Sequence, residues 1–245
     1  MRDALKDGLS RPPQHPQPMT TDSLPQARRD LAPLWITLAF LAIALAWDAS
    51  GLDMPLARLA GSQAGFPWRH NWLLADVLHE GARRFSWLLA LGLCLGVWWP
   101  LGPLTRLTRA RRLQLAVTAL LAALAVTLLK AGNSTSCPWD LQDFGGAARH
   151  VSHWSGLADG GAGHCFPAGH AATGFSFFGG YFVFRGTDRR QALAWLVAAG
   201  VSGLVLGLGQ QWRGAHFMSH TLWTGVVCWC TALAIDAAWP ARTEI

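Results

Sequence analysis

The stretch GHCFPAGHAATGFSFFGGYFVF, Gly163 to Phe184, decides what kind of protein this is. From Ala168 onward it is an apolar run long enough to cross a hydrocarbon core, which takes roughly 17–25 helical residues. Yet Pro167-Ala168-Gly169-His170 places an ionisable imidazole at its mouth. Working outward, five more apolar runs of similar length appear: Leu31–Trp47, Phe85–Leu104, Leu113–Leu129, Ala192–Gly209 and Thr221–Ile235. The 245-residue chain is 51% hydrophobic, has 14 Trp and is only 14% charged, against about a quarter charged in soluble domains. The expectation is an all-α bundle of six transmembrane helices.

Cations set the orientation. Arg2, Lys6, Arg11, Arg28 and Arg29, then Arg106, Arg109, Arg111 and Arg112, then Arg185, Arg189 and Arg190 fall on one side of a six-helix alternation. That side is expected to be cytoplasmic, with both termini on it. Other cations, among them Arg69, Arg83, Lys130 and Arg213, fall on the outer side and need another reason. The net charge of +6 thus reads as topology plus an anion site. Nucleic acid is not an expected partner, because no soluble basic surface is present.

Residues 1–30 hold Pro12, Pro13, Pro16, Pro18 and Pro25 among polar residues and are expected to be a disordered cytoplasmic tail. Residues 31–84 carry the first transmembrane helix and an outer segment, in which Trp72–Arg84 has the spacing of a short helix lying along the interface. Ala44-Leu45-Ala46 resembles a cleavage site, but the long leading tail favours an uncleaved anchor. Residues 85–238 form the core, and 239–245 a second cytoplasmic tail.

Lys130 ends the third expected helix, Gly169-His170 opens the fourth, and Arg213, His216 and His220 occupy the link between the fifth and sixth. Taken singly, a helix-end lysine snorkels and a histidine is satisfied in a core. Together they bring cations and imidazoles to one depth on one side. Lys and Arg suit a phosphoryl group and its developing charge. One His can attack phosphorus and another can protonate the leaving oxygen, while the helix start at Gly169 adds backbone N–H groups.

These residues resemble the motifs of the type 2 phosphatidic acid phosphatase family, membrane relatives of the vanadium haloperoxidases. The family motifs read Lys, six residues, Arg-Pro; then Pro-Ser-Gly-His; then Ser-Arg, five residues, His, three residues, Asp. Here they fall at Lys130 to Pro138, at Pro167-Ala168-Gly169-His170, and from Gly209-Gln210 through His216 to His220. CPWDL (Cys137–Leu141), CFPAGHA (Cys165–Ala171) and RGAHFMSH (Arg213–His220) look like a divergent bacterial branch, and the resemblance covers roughly residues 85–238. Cys137 stands where the family has Arg, Ala168 where it has Ser, Gln210 where it has Arg and His220 where it has Asp. If the fifth helix continued, Gln210, Arg213 and His216 would lie near one face, letting Arg213 replace the missing guanidinium.

The resemblance implies a metal-independent phosphatase of the bacterial inner membrane, with a periplasmic active site and no cofactor. His216 would be the nucleophile, His170 the acid and base, and His220 the orienting partner. Lys130, Arg213, Gln210 and Gly169 would bind the phosphoryl group. The substrate would be a lipid phosphate or pyrophosphate drawn from the membrane: undecaprenyl pyrophosphate, phosphatidic acid, phosphatidylglycerol phosphate or a lipid A phosphate. The alternatives are a catalytically silent lipid-headgroup binder or transporter, and a haloperoxidase, which the membrane body disfavours. His79-Glu80 could guide a headgroup but is read first as a solvated surface pair, and Asp140 and Asp143 could orient a catalytic His or Lys130 but are read first as turn and capping residues. His153 and His164 offer no zinc-ligand spacing, so no metal is expected. Cys94, Cys228 and Cys230 read as packing residues, while Cys137 and Cys165 share an outer loop in which a disulfide is expected.

Overall fold

A computed structural model of the chain describes residues 30–239. The two tails expected at residues 1–30 and 239–245 lie outside the described residues apart from Asp30 and Trp239. From Ala32 to Trp239 the chain is one compact helical unit, with no strand among the described residues.

Four uninterrupted helices are long and apolar enough to cross a membrane: α1 (Ala32–Ser50), α4 (Arg109–Ala131), α7 (Arg189–Trp212) and α8 (Met218–Ala238). Between α1 and α4 lie the short α2 (Asp53–Arg58) and α3 (Ala82–Leu95). Between α4 and α7 lie α5 (Gly169–Phe175) and α6 (Gly179–Phe184). Leu34, Trp35, Leu38 and Ile43 on α1, and Leu120, Leu124 and Leu128 on α4, face outward. An apolar surface of this kind is tolerable only in lipid, where helices satisfy their own backbone groups. The chain is a multi-pass membrane protein.

Three sequence expectations about helices need correction. Trp72–Arg84 is not a separate interfacial helix: Leu73–Gly81 forms π-helical turns that run straight into α3, because Gly81 stays helical at φ −63° and ψ −48°. The run expected over Phe85–Leu104 stops earlier, at Leu95, and Pro100 and a 3₁₀ turn at Gly102–Arg106 follow.

Ala168–Phe184 is not one continuous helix either. A 3₁₀ turn at Ser176–Phe178 divides it into α5 and α6, and every residue of α6 is buried. This is the centre of the bundle. A Cβ on Gly174 would collide with the Gly203 backbone nitrogen, so only glycine lets α5 and α7 approach this closely. Trp229 of α8, fully buried among Phe40, Tyr181 and Phe182, fills the layer beneath and donates through Nε1 to Thr37 Oγ1 at 2.8 Å. At one end of the bundle Asp236 is held by Arg185 at 2.9 Å and Gln114 at 2.8 Å.

The opposite end carries the loop from Gly132 to Ala168, folded over a second small core of Phe66, Leu141, Phe144 and Phe217. Cys137 and Cys165 are joined by a disulfide across this loop. Asp159 accepts from Ser136 N–H at 2.6 Å, Ser136 Oγ at 2.8 Å and Gly161 N–H at 3.0 Å. These hydrogen bonds outweigh the opposing effect of burial and hold its carboxyl below its usual range. Trp139 N–H reaches Gly214 C=O at 2.9 Å and ties the loop to the α7–α8 link. Deeper, the Thr224 hydroxyl accepts from Ala168 N–H at 2.9 Å and donates to His220 C=O at 2.7 Å.

Two stability measurements check these ties. Thr224→Val keeps the shape but leaves the buried Ala168 N–H only its longer bond to His220 C=O at 3.4 Å, a loss of about 1–3 kcal/mol, and should lower the thermal unfolding midpoint in detergent. Replacing Cys137 and Cys165 together by Ser frees a loop with a sequence separation of 28. Loop-closure entropy puts that loss at about 3–4 kcal/mol. Unchanged midpoints would show that neither tie holds the loop.

Candidate active site

Lys130 stands in the last turn of α4, Gly169 and His170 in the first turn of α5, and His220 in the first turn of α8. Arg213 caps the C-terminus of α7, and His216 lies in the link to α8. Lys130 acts electrostatically on His170, His216 and His220, and Arg213 acts on His170. The structure therefore brings together at one end of the bundle the groups that are far apart in the chain. Among the described residues no carboxylate pairs with Lys130, leaving a partly buried cation open to an anion.

His216 and His220 are 3% and 2% exposed. Their Nδ1 atoms are 3.4 Å apart, and Cys165 Sγ lies 3.5 Å from His216 Nδ1. Nδ1 of His216 is thus turned into the protein, which leaves Nε2 for chemistry. Burial, followed by the charge of Lys130, pushes the His216 imidazole well below its ordinary range, so this ring is neutral at physiological pH.

The α7 helix ends at Trp212, and Gly214 turns the chain at φ 76°. Gln210, Arg213 and His216 therefore do not share a helix face, contrary to expectation. Arg213 instead points back: Nε donates to Arg69 C=O at 2.9 Å and Nη1 to Gln210 Oε1 at 3.2 Å. Gln210 is a positioning partner of Arg213 here, and its own buried Nε2 has no hydrogen-bond partner among the described residues. At Gly169 a Cβ would meet nothing nearer than Lys130 Cδ at 3.8 Å, which shows how close the lysine stem lies to the start of α5.

The departures from the family motifs have local explanations. Cys137, where the family has Arg, is spent on the disulfide to Cys165. Ala168, where the family has Ser, is fully buried, and its N–H is bonded by Thr224. Asp140 accepts from Trp139 Nε1 at 3.0 Å, and Asp143 pairs with Arg58 at 3.1 Å. Cys137, Cys165 and His216 lie close enough to hold a metal, but sulfurs in a disulfide are not thiolate ligands.

His79 needs a correction of the favoured sequence reading. Its ring stacks on His170, with centroids 3.7 Å apart and planes at 30°, so the His79–Glu80 pair lies at the site and not on an open surface. Glu80 Oε1 lies 3.1 Å from His79 Nδ1, and Arg83 Nη2 holds the other Glu80 oxygen at 2.7 Å. No local pattern announces this, since the contact depends on how the π-helical turns meet α5. Asp48, Asp53 and His153 also gather beside His220, a grouping that the sequence reading missed.

Beside His170 a groove of about 380 Å³ opens between α3, α4 and α5. Arg83, Lys130 and His170 line it together with Trp87, Leu120 and Phe177. Polar chemistry and an apolar wall therefore share one cavity.

No curated protein and no solved structure matches the chain. The sequence model of the PAP2 superfamily matches residues 111–244, a span that contains Lys130, His170, Arg213, His216 and His220. With more than half of its length matched, the chain belongs to the PAP2 superfamily of phosphatases.

Proposed function

We propose that this protein is a metal-independent integral membrane phosphatase that hydrolyses a lipid phosphate or pyrophosphate through a phosphohistidine on His216. The groove carries the reading: Lys130, Arg83 and His170 suit a phosphate, while Trp87, Leu120 and Phe177 suit an acyl or prenyl chain. A water-soluble phosphate ester would have no use for the apolar part.

In the first step His216 Nε2 attacks phosphorus, an N–P bond forms, the P–O bond to the lipid breaks, and His170 gives its proton to the departing oxygen. In the second, water attacks phosphorus, His170 takes the water proton, and the N–P bond breaks to release phosphate. Lys130, the remaining Arg213 amino group and Gln210 Nε2 bind the phosphoryl oxygens. His220 accepts the His216 Nδ1 proton through its own bare Nδ1. A silent headgroup binder is the competing reading, favoured by the engagement of Arg213 with Arg69 and Gln210.

The proposed topology has six spans, with Leu73–Leu95 and Ala168–Phe184 joining α1, α4, α7 and α8. Arg106–Arg112 and Arg185–Arg190 then face the cytoplasm and the site faces the periplasm of a bacterial inner membrane. A reporter fused after Arg112 should register as inside and one near Gly160 as outside. The reverse would move the site to the cytoplasmic face.

Purified protein in detergent with chelator should release phosphate from at least one of undecaprenyl pyrophosphate, phosphatidic acid, phosphatidylglycerol phosphate and lipid A phosphate. Binding without release from any of them would support the silent binder. His216→Ala should remove activity by about 10³-fold or more on lipid and aryl phosphates alike. His170→Ala should cost about 10²–10⁴-fold on the lipid but much less on an aryl phosphate, whose leaving group needs little protonation.

The lowered His216 range gives a pH prediction with a definite sign. Protonation silences the nucleophile only on the acid side of a depressed value. After correction for substrate ionisation, kcat/KM should therefore not fall as pH drops through about 6.5, the ordinary histidine value. A fall centred there would show that His216 is not held neutral.

A further inference from the structure

The PAP2 motif has a carboxylate where this chain has His220, and the neighbourhood of His220 contains one from another part of the fold. A cavity of about 260 Å³ lies beside His220, lined by Asp48 at the end of α1, Asp53 at the start of α2, and His150, His153 and Asp159 of the long loop. Asp48 and Asp53 fall outside residues 111–244, the span shared with the superfamily.

His153 bridges the two. Its ring stands edge-on to His220, with centroids 5.6 Å apart, and its Nε2 lies 3.6 Å from Asp48 Oδ2. Phe166 stacks on His153 at 4.2 Å and meets His220 edge-on, as does Phe217 at 5.5 Å. An enclosure of rings screens charge poorly, so a carboxylate behind it acts strongly on an imidazolium inside. The same Asp48 oxygen accepts from Trp154 Nε1 at 2.9 Å and Trp223 Nε1 at 2.8 Å, which fixes its position. Among the described residues Asp48 Oδ1 and His153 Nε2 are buried without a hydrogen-bond partner, so the pair retains unused bonding capacity. Asp53 plays a different part, accepting from Trp47 Nε1 and from the N–H and hydroxyl of Ser219 and so holding the first turn of α8 that carries His220.

We propose that Asp48, acting through His153, supplies the negative charge that motif three lacks at His220. Attack by His216 on phosphorus places positive charge on its ring. That charge is shared across the 3.4 Å contact to His220 and faces the His153–Asp48 pair beyond it. No proton needs to travel the whole chain, since the carboxylate acts by its field and by fixing the rings. Asp48 and His153 are positioning residues in this scheme, which rests on His216 being the phosphoryl acceptor.

Asp48→Asn tests it, because the amide oxygen can still accept from both indoles while the charge is lost. With a lipid phosphate substrate, kcat should fall roughly 10–100-fold, the usual range for loss of a partner behind a reacting group, with KM changed less than about twofold. Placing a carboxylate at the family position should make Asp48 dispensable: in a His220→Asp background, Asp48→Asn should cost less than about threefold. An equal loss in both backgrounds would mark Asp48 as merely structural and overturn the proposal, as would no loss in the native background. His153→Gln should reproduce the Asp48→Asn defect, and unimpaired turnover in that variant would remove the bridge. An inactive native chain would defeat the phosphatase reading instead, and ¹⁵N-histidine spectra then decide this one without turnover. Asp48→Asn should shift the His220 ring nitrogens, and unmoved resonances would contradict the linkage.

Discussion

One hydroxyl fixes the relation between the two histidine motifs. Thr224 Oγ1 holds Ala168 N–H just before α5 and His220 C=O in the first turn of α8, so the turn that presents His170 and the helix that presents His220 cannot separate without breaking buried hydrogen bonds. The Cys137–Cys165 disulfide adds a covalent tie above it, and its Cys165 sulfur rests against His216. Lys130 then needs only the end of α4 to complete the group. Polar side chains at this depth are costly unless satisfied, and here the satisfying partners are also what define the site.

Much of this was legible in the chain. Apolar runs and the absence of charge located α1, α4, α7 and α8, because a membrane imposes length and composition more strictly than a soluble core does. Lys130, His170 and His216 were legible for a related reason: each stands at the edge of an apolar run, where an ionisable residue has few uses. Segment continuity was not legible. Nothing local marks the π-helical turns of Leu73–Gly81 or the 3₁₀ break at Ser176–Phe178, which follow from how helices fit together. His79 was misread for the same reason, since stacking on His170 is a contact between elements distant in sequence. The Gln210–Arg213–His216 face failed because Gly214 ends the helical path between them.

The departures from the family motifs form a pattern in the folded chain. Guanidinium groups are fewer, and the remaining Arg213 is positioned by Gln210 and the Arg69 carbonyl. On the proposed reading, Asp48 at the end of α1, behind His153, supplies the carboxylate that α8 lacks at His220. Arg83, paired with Glu80 beside the His79–His170 stack, brings another cation to the groove. The charged groups near the histidines thus come from several elements, an arrangement that suits the electrostatic preorganisation the proposed reaction needs.

The central claim is that His216 carries the phosphoryl group. Rapid mixing with a ³²P-labelled lipid phosphate, quenched in alkali to preserve a phosphoramidate, should give label on His216 that appears and decays at rates matching turnover, and none in His216→Ala. Phosphate released by an enzyme that never becomes labelled, or label found on another residue, would contradict it.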